Sequence, residues 1–126
     1  MSKKIIKTDQ ASLPVGPYNQ AVVIGNLVYT AGQIPLDSSG HMVSGGIKEQ
    51  TQQVIANLKA VLGASGSSLE KVVKATVFLK DLNDFAGMNE VYGQYFKPET
   101  APARSTLQVA RIPKDSLVEI EVVAHI

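Results

Sequence analysis

The sequence predicts a single α+β domain over residues 1–126, ordered β-β-β-α-β-α-β-β, with a mixed sheet carrying two helices on one face. Three observations point to it. Short runs rich in β-branched residues recur at strand length, two longer runs place apolar residues at helical spacing, and each helical run falls between strands. A chain of 126 residues fits one domain and buries roughly two-thirds of its unfolded surface, so one core is expected.

Lys3 to Lys7 is predicted as a short edge strand. Leu13-Pro14-Val15-Gly16-Pro17 is a rigid loop, because two prolines remove ladder donors, and Tyr18 leaves it. Gln20 to Ile24 and Leu27 to Ala31 are β-rich and separated by Gly25-Asn26, which suits a two-residue hairpin turn. Gly32-Gln33-Ile34-Pro35 ends the second of these strands. Gly32 has two readings, a place where backbone N–H groups approach a ligand or a simple strand exit. Asp37 to Gly46, with His41, reads as a mobile surface loop.

Ile47, Thr51, Val54, Ile55, Leu58, Val61 and Leu62 recur at helical spacing, with Lys48, Gln52, Gln53 and Lys59 toward water. Gly63 and Gly66 are expected to stop this helix. Ser67-Ser68-Leu69-Glu70 has capping-box spacing for a brief helical turn, and Val72 to Lys80 follows as a strand dense in β-branched residues. Asn83 is the expected cap of the second helix, whose stripe of Phe85, Met88, Tyr92, Tyr95 and Phe96 is most simply core. Lys97 to Pro102 is a loop.

From Arg104 to Ala110 the chain alternates, with Ser105, Leu107 and Val109 on one face and Arg104, Thr106 and Gln108 on the other. Ile112-Pro113-Lys114-Asp115-Ser116 reads as a turn. Leu117 to His125 then sets Val118, Ile120, Val122 and Ala124 against Glu119 and Glu121. If the last two strands pair as a hairpin with apolar faces matched, Arg104, Thr106, Gln108, Glu119 and Glu121 share one face, and a cation converges with two carboxylates. Arg104 alone is compatible with a solvated surface charge. In this company it reads as an anchor for a small carboxylate. The sheet face away from the helices, carrying Val123, Thr106 and Gln108 beside charges, is expected to be covered by another subunit, with a ligand cleft at the boundary.

Composition narrows the classes of function. Twelve basic and 11 acidic side chains leave a net charge of +1, too weak a field to imply nucleic acid or an anionic membrane. The absence of cysteine excludes disulfides, thiolate catalysis and cysteine-ligated metals. His41 and His125 lack partners at ligand spacing, so no metal site is expected. No phosphate-cradling glycine loop is present, and no run approaches the ~18 apolar residues that cross a bilayer. The run Met1 to Ile6 is too short for a signal-peptide apolar region, and a cytoplasmic protein is expected.

Five ordered motifs, Gly16-Pro17-Tyr18, Thr30 to Pro35, Val77 to Leu82, Pro102-Ala103-Arg104-Ser105 and Ile120-Glu121-Val122, span nearly the whole chain. They resemble the Rid family of reactive intermediate deaminases, specifically its RidA branch. The resemblance implies a chorismate-mutase-like fold assembled as a homotrimer with clefts between subunits. It further implies hydrolysis of 2-imino acids or enamines, such as 2-iminobutanoate or 2-iminopropanoate, to 2-oxo acids and ammonia, without cofactor or metal. Carried over by position, Arg104 pairs with the substrate carboxylate, Tyr18 lines the cleft, Gly32 offers backbone, Asn89 is a polar neighbour and Glu119 positions water. Thr106 departs from the pattern, because many relatives have cysteine there. A thiol is thereby ruled out, and a backbone or hydroxyl contact is left.

These residue types suit the chemistry. A guanidinium meets a carboxylate as a planar fork, and a protonated imine needs only to be held, to meet one water and to have its protons managed. For Glu119 the competing role is an inter-subunit salt bridge, and for Glu121 a structural role is favoured. A carboxylate-sensing or partner-binding module using the same cleft is the alternative function. Ribonuclease activity is disfavoured by the near-neutral charge and the lack of a basic, aromatic surface.

Overall fold

The computed structural model describes residues 2–126. Its strands are β1 (Lys4–Ile6), β2 (Ala21–Ile24), β3 (Leu27–Thr30), β4 (Val72–Leu79), β5 (Ala103–Gln108) and β6 (Val118–His125). Helix α1 (Ile47–Ala64) precedes β4, and α2 (Phe85–Tyr95) lies between β4 and β5, so the predicted element order is the observed one. The six strands form one mixed sheet in the order β1-β2-β3-β6-β4-β5.

The Gly25-Asn26 hairpin is present, with Ile24 opposite Leu27 and a φ of 58° at Gly25. Asn26 does not share the positive φ, so the turn is of the type that needs glycine only at its first central position. Helix α1 begins where the Gly46 N–H donates to Glu49 Oε1 at 2.8 Å. It runs through Gly63 to Ala64 and, just past the Ser65 cap, is terminated by Gly66, whose φ of 82° lets Ser67 N–H reach back to the Leu62 carbonyl at 2.8 Å. Of the two expected helix stops, Gly66 alone acts. A glycine terminates a helix by taking the left-handed conformation, and Gly63 does not take it.

The expected Asn83 cap also moves. A short 3-10 turn, Leu82–Asp84, precedes α2, and the Asp81 carboxylate accepts from Asn83 N–H at 2.9 Å. The capping oxygen therefore comes two residues earlier, and Asp84 occupies the cap position of α2.

The predicted hairpin between the last two strands does not form. β4 lies between them, parallel to β5 with Ala75 opposite Arg104 and Val77 opposite Thr106, and antiparallel to β6 with Val77 opposite Ile120 and Phe78 opposite Glu119. Paired residues point to the same face. Arg104, Thr106 and Gln108 therefore share the face of Ala75, Val77, Leu79, Val118, Ile120 and Val122, which is the face beneath the helices. Glu119 and Glu121 lie on the opposite face with Thr76, Phe78, Val123 and Tyr29. The convergence of Arg104 with two carboxylates within one chain is corrected accordingly, and Thr106 and Gln108 do not belong to the open face.

The core lies between sheet and helices. Val54, Ile55, Leu58, Val61 and Leu62 of α1 and Met88, Val91 and Tyr92 of α2 pack on Val77, Leu79, Val118 and Ile120, all buried. Buried amides tie the loops to this core. Gln50 Oε1 accepts from Leu117 N–H at 2.8 Å, and Asn57 Nδ2 donates to the Ile34 and Leu36 carbonyls at 3.2 and 2.9 Å. Among the described residues, no helix is long and apolar enough to cross a membrane.

Candidate functional site

Two separate groups of the expected site residues are found. The first surrounds Glu119. After β3 the chain shifts register against β6, from Tyr29 opposite Val123 to Gln33 opposite Ile120, which inserts one extra residue. The Thr30 hydroxyl accepts from Val122 N–H at 3.0 Å within the irregular stretch. The bulge re-aims Ala31, Gly32 and Ile34 toward Glu119. Together with Val15, Tyr18 and Pro113 they line a cleft of about 330 Å³ with Glu119 in its wall.

Gly32 has a specific reason to lack a side chain. A Cβ there would stand 2.8 Å from Glu119 Cδ and closer still to Oε2, so the glycine makes room for that carboxylate. This reading differs from both sequence readings, backbone approach and strand exit. No positive φ is involved. Glu119 is half-buried, and burial pushes its carboxyl above the ordinary value, with the Glu121 charge on the same face adding to the rise. A carboxyl so placed is a better proton acceptor than a solvated one.

Tyr18 is held by its own loop. Its N–H donates to the Gly16 carbonyl at 2.9 Å, and its hydroxyl accepts from Val15 N–H at 3.2 Å. The ring, 46% exposed, faces the cleft. Behind it the buried Gln20 amide accepts from Thr8 N–H at 2.8 Å and donates to the carbonyls of Thr8 and Ser12 at 3.0 and 2.9 Å. These bonds clamp residues 8–12, and the Gln20 carbonyl accepts from Ala31 N–H at 2.9 Å. Sequence reasoning passed over Gln20. A glutamine just before a hairpin strand, facing inward, was the available signal.

The second group lies beneath α2. The Arg104 guanidinium sits over the Tyr92 ring at 4.6 Å from its centroid and over the Phe85 ring at 5.6 Å. Such stacking contributes about 0.5–2 kcal/mol and fixes the orientation of the fork. Among the described residues no carboxylate lies within 4.0 Å of this guanidinium, whereas the exposed Arg111 is paired to Asp115 at 3.0 Å. The Thr106 hydroxyl is buried without a hydrogen-bond partner, and the buried Tyr92 hydroxyl has the Arg104 guanidinium as its polar neighbour. Burial pushes the Tyr92 phenol upward, partly offset by the charge and hydrogen bonding of Arg104. Asn89 is on the same stripe of α2 as Phe85 and Tyr92, one turn from each. Of the aromatic stripe read as core, Met88, Tyr92 and Phe96 are buried and Tyr95 packs against them, but Phe85 is 41% exposed, because its ring lies beside the Arg104 cation, which Tyr92 also covers.

Arg104, Tyr92, Asn89 and Thr106 therefore fall in one group and Glu119, Gly32 and Tyr18 in another, on opposite faces of the sheet. The first can hold an anion in a fixed orientation. The second can hold a polarised water beside an apolar wall. Among the described residues no group of three His, Asp or Glu side chains is arranged to hold a metal.

Comparison with known proteins gives these groups a context. Residues 8–126 match the family described as Endoribonuclease L-PSP. A RutC family protein of Pyrococcus abyssi is 55% identical over 126 residues, 99% of this chain and 98% of that protein. The 2-iminobutanoate/2-iminopropanoate deaminase of Homo sapiens is 47% identical over 123 residues, 97% of this chain and 89% of that protein. Among solved structures, that of E. coli TdcF with bound serine superposes with a TM-score of 0.91 at 44% identity, covering 98% of each chain.

Proposed function

We propose that this chain, which belongs to the Endoribonuclease L-PSP family and so to the Rid group its motifs resemble, hydrolyses 2-imino acids and their enamine tautomers to 2-oxo acids and ammonia. Substrates such as 2-iminobutanoate and 2-iminopropanoate fit the reading, and the deaminase name of the human relative supports it. The observation that carries it is the unpaired guanidinium of Arg104, stacked on Tyr92 beside the unpartnered Thr106 hydroxyl. A half-buried cation with no acid of its own is a receptor for an anion from outside. The serine bound to TdcF is an amino acid with a carboxylate of the required kind.

The site is completed by a second copy. The strand β5 is an edge of the sheet, so the Arg104 half lies at the molecular margin. The open sheet face around Glu119 exposes Tyr29 (44%) and Leu107 (40%), apolar groups that a neighbouring subunit would cover. A cyclic homotrimer sets the margin of one copy against the open face of the next, giving clefts with Arg104 on one wall and Glu119 on the other.

In such a cleft Arg104 takes the carboxylate as a bidentate pair, contributing about 1.5–3 kcal/mol and fixing C2 of the substrate. Thr106 and Asn89 supply further polar contacts on the same wall. Ionised Glu119 takes a proton from water as the oxygen attacks C2 of the protonated imine, giving a carbinolamine. Return of that proton to nitrogen makes ammonia the leaving group, and as the C–N bond breaks Glu119 takes the hydroxyl proton and passes it to the departing ammonia, so one protonated imine and one water become one 2-oxo acid and one ammonium ion. General acid–base help of this kind is worth about 10² to 10⁴ in rate. No covalent nucleophile is needed, consistent with threonine at 106.

The test is a coupled assay in which a dehydratase generates 2-iminobutanoate and ammonia release is followed. Acceleration over buffer that disappears in Arg104→Ala, with oligomer size by light scattering unchanged, is expected. Release no faster than buffer overturns the proposal. A second reading, a sensor of small carboxylates, is favoured by one feature, the completeness of the Arg104 half-site without Glu119. It predicts that Glu119→Gln retains both ligand binding and function, whereas the enzyme reading predicts binding without turnover.

A further inference from the structure

We infer that Val15 and Pro113 are opposing jaws that set the size of the substrate side chain, with Ile34 as the floor between them. The inference rests on the imine-hydrolysis reading and concerns the part of the cleft that its chemistry leaves unused.

With the carboxylate directed to Arg104 and C2 beside Glu119, the remaining substituent on C2 is the side chain. The space for it is the cleft around Val15, Ala31, Ile34 and Pro113, in which Glu119 is the one charged lining residue. An uncharged side chain fits there, and its bulk is limited by whatever cannot move. Val15 is 58% exposed, so its isopropyl group is not engaged in the core. Yet its backbone is fixed, by Pro14 and Pro17 on either side, by its own N–H on the Tyr18 hydroxyl at 3.2 Å and by the Gln20 clamp behind the loop. An apolar group held rigidly at the lip of a cleft does little for folding and much for what enters.

Pro113, which also lines the cleft, is held with equal firmness. It opens a turn in which two consecutive non-glycine residues, Lys114 and Asp115, have φ of 61° and 54°, a conformation such residues rarely adopt. The turn is over-determined. Asp115 N–H donates to the Ile112 carbonyl at 3.1 Å, and Ser116 Oγ to the Pro113 carbonyl at 2.7 Å, while Ile112 and Ser116 are anchored at 2% and 0% exposure. Backbone conformations of this kind persist where the position they enforce is used. Ile34 cannot recede either, since it packs in a small buried cluster with Leu36 and Ile112, backed by Phe78 and Val109.

The experiment compares wild type, Val15→Ala, Val15→Phe and Pro113→Ala on 2-iminobutanoate and on the branched 4-methyl-2-iminopentanoate. Both are generated in situ from the amino acids by an amino acid oxidase. In parallel, affinities for the stable products 2-oxobutanoate and 4-methyl-2-oxopentanoate are measured by NMR titration. Val15→Ala is expected to shift the kcat/KM ratio about tenfold toward the branched substrate, and Val15→Phe to shift it comparably the other way. Pro113→Ala, on the other jaw, is expected to follow Val15→Ala in direction, and product affinities to move with kcat/KM. Turnover with ratios unchanged in all three variants overturns the jaw assignment and leaves imine hydrolysis standing. Product affinity ratios that shift without turnover in any protein overturn the hydrolysis reading and support the jaws as selectors in a binding site. Neither turnover nor shifted affinities overturns both.

Discussion

If each cleft draws Arg104 from one copy and Glu119 from the next, two inactive variants must repair each other when mixed. Arg104→Ala removes the carboxylate anchor, a loss of roughly 1.5–3 kcal/mol, or about one to two powers of ten in kcat/KM. Glu119→Gln removes the base and costs about 10² to 10⁴ in rate. The sheet register places the two residues on opposite faces of a single chain, so neither variant can restore its own site. In an equimolar mixture refolded together, a cleft is intact when its Arg104 comes from the Glu119→Gln chain and its Glu119 from the Arg104→Ala chain. Random assembly gives each condition a chance of one half, so about one quarter of wild-type activity returns, above the Arg104→Ala parent and far above the Glu119→Gln parent. The assay is ammonia release after co-refolding, with distinguishable tags and native mass spectrometry to establish that mixed assemblies formed. Mixed assemblies that remain as inactive as the parents would show that one chain supplies both residues, and the shared-cleft reasoning would fail.

Further predictions follow from the same geometry. In Gly32→Ala the new Cβ displaces the Glu119 carboxylate, and because that side chain is half-buried and free to swing, kcat should fall by at least about tenfold while Tm changes little, read from kinetics and thermal melts. Burial first, and the Glu121 charge second, raise the Glu119 carboxyl above its ordinary value of 4.5. Because the proposed hydrolysis needs the ionised form, Glu121→Gln should move the acid limb of the kcat profile to lower pH without abolishing it. The stability linkage has the opposite sense from that of a salt-bridged acid. A raised carboxyl favours the native state below the unfolded value, and that benefit is lost as pH rises through the native one. Glu119→Gln should therefore gain stability over wild type at neutral pH, a difference that closes toward pH 4.5 in denaturant titrations. Thr106→Val removes an unpartnered buried hydroxyl whose burial costs about 1–3 kcal/mol, so Tm should hold or rise while KM for the imine increases. A fall in Tm with KM unchanged would mark the hydroxyl as structural. Gln20→Met deletes three hydrogen bonds of about 0.5–1.5 kcal/mol each and should lower stability by a few kcal/mol, measured by urea unfolding.

Much of the fold was legible because its signals are local. Gly25-Asn26 needs only glycine's freedom at one turn position, and the 3.6-residue recurrence from Ile47 to Leu62 needs only one buried face. Helix ends were less legible. Gly63 and Gly66 look alike in sequence, and what separates them is which one the chain turns at, a choice made by the Ser67 N–H reaching Leu62. The candidate site residues are named mostly through motif resemblance, and the structure gives some positions tasks that the sequence does not suggest. Gly32 yields space to a carboxylate, and Phe85 and Tyr92 hold a cation. Such pairings join residues far apart in the chain, and periodicity carries no information about them.

The hairpin error shows why the halves of the site belong to different faces. Alternation states which residues of one strand point together, but it carries no sign between strands, and the assumption of a hairpin supplied the wrong one. With β4 inserted between β5 and β6, matching the faces puts the more polar row of β5 under the helices and leaves Leu107 on the open side. In the middle of a sheet that arrangement would bury a charge at prohibitive cost. At the edge it is tolerable, because the rings of Phe85 and Tyr92 cover the guanidinium while one side stays reachable. The same strand thus presents an apolar side chain to water on one face and a cation lacking an anion on the other. Under the proposed assembly, a neighbouring copy seated on the open face would cover the first, and a carboxylate bound in the resulting cleft would satisfy the second, so that assembly and substrate binding would be two answers to one inverted edge strand.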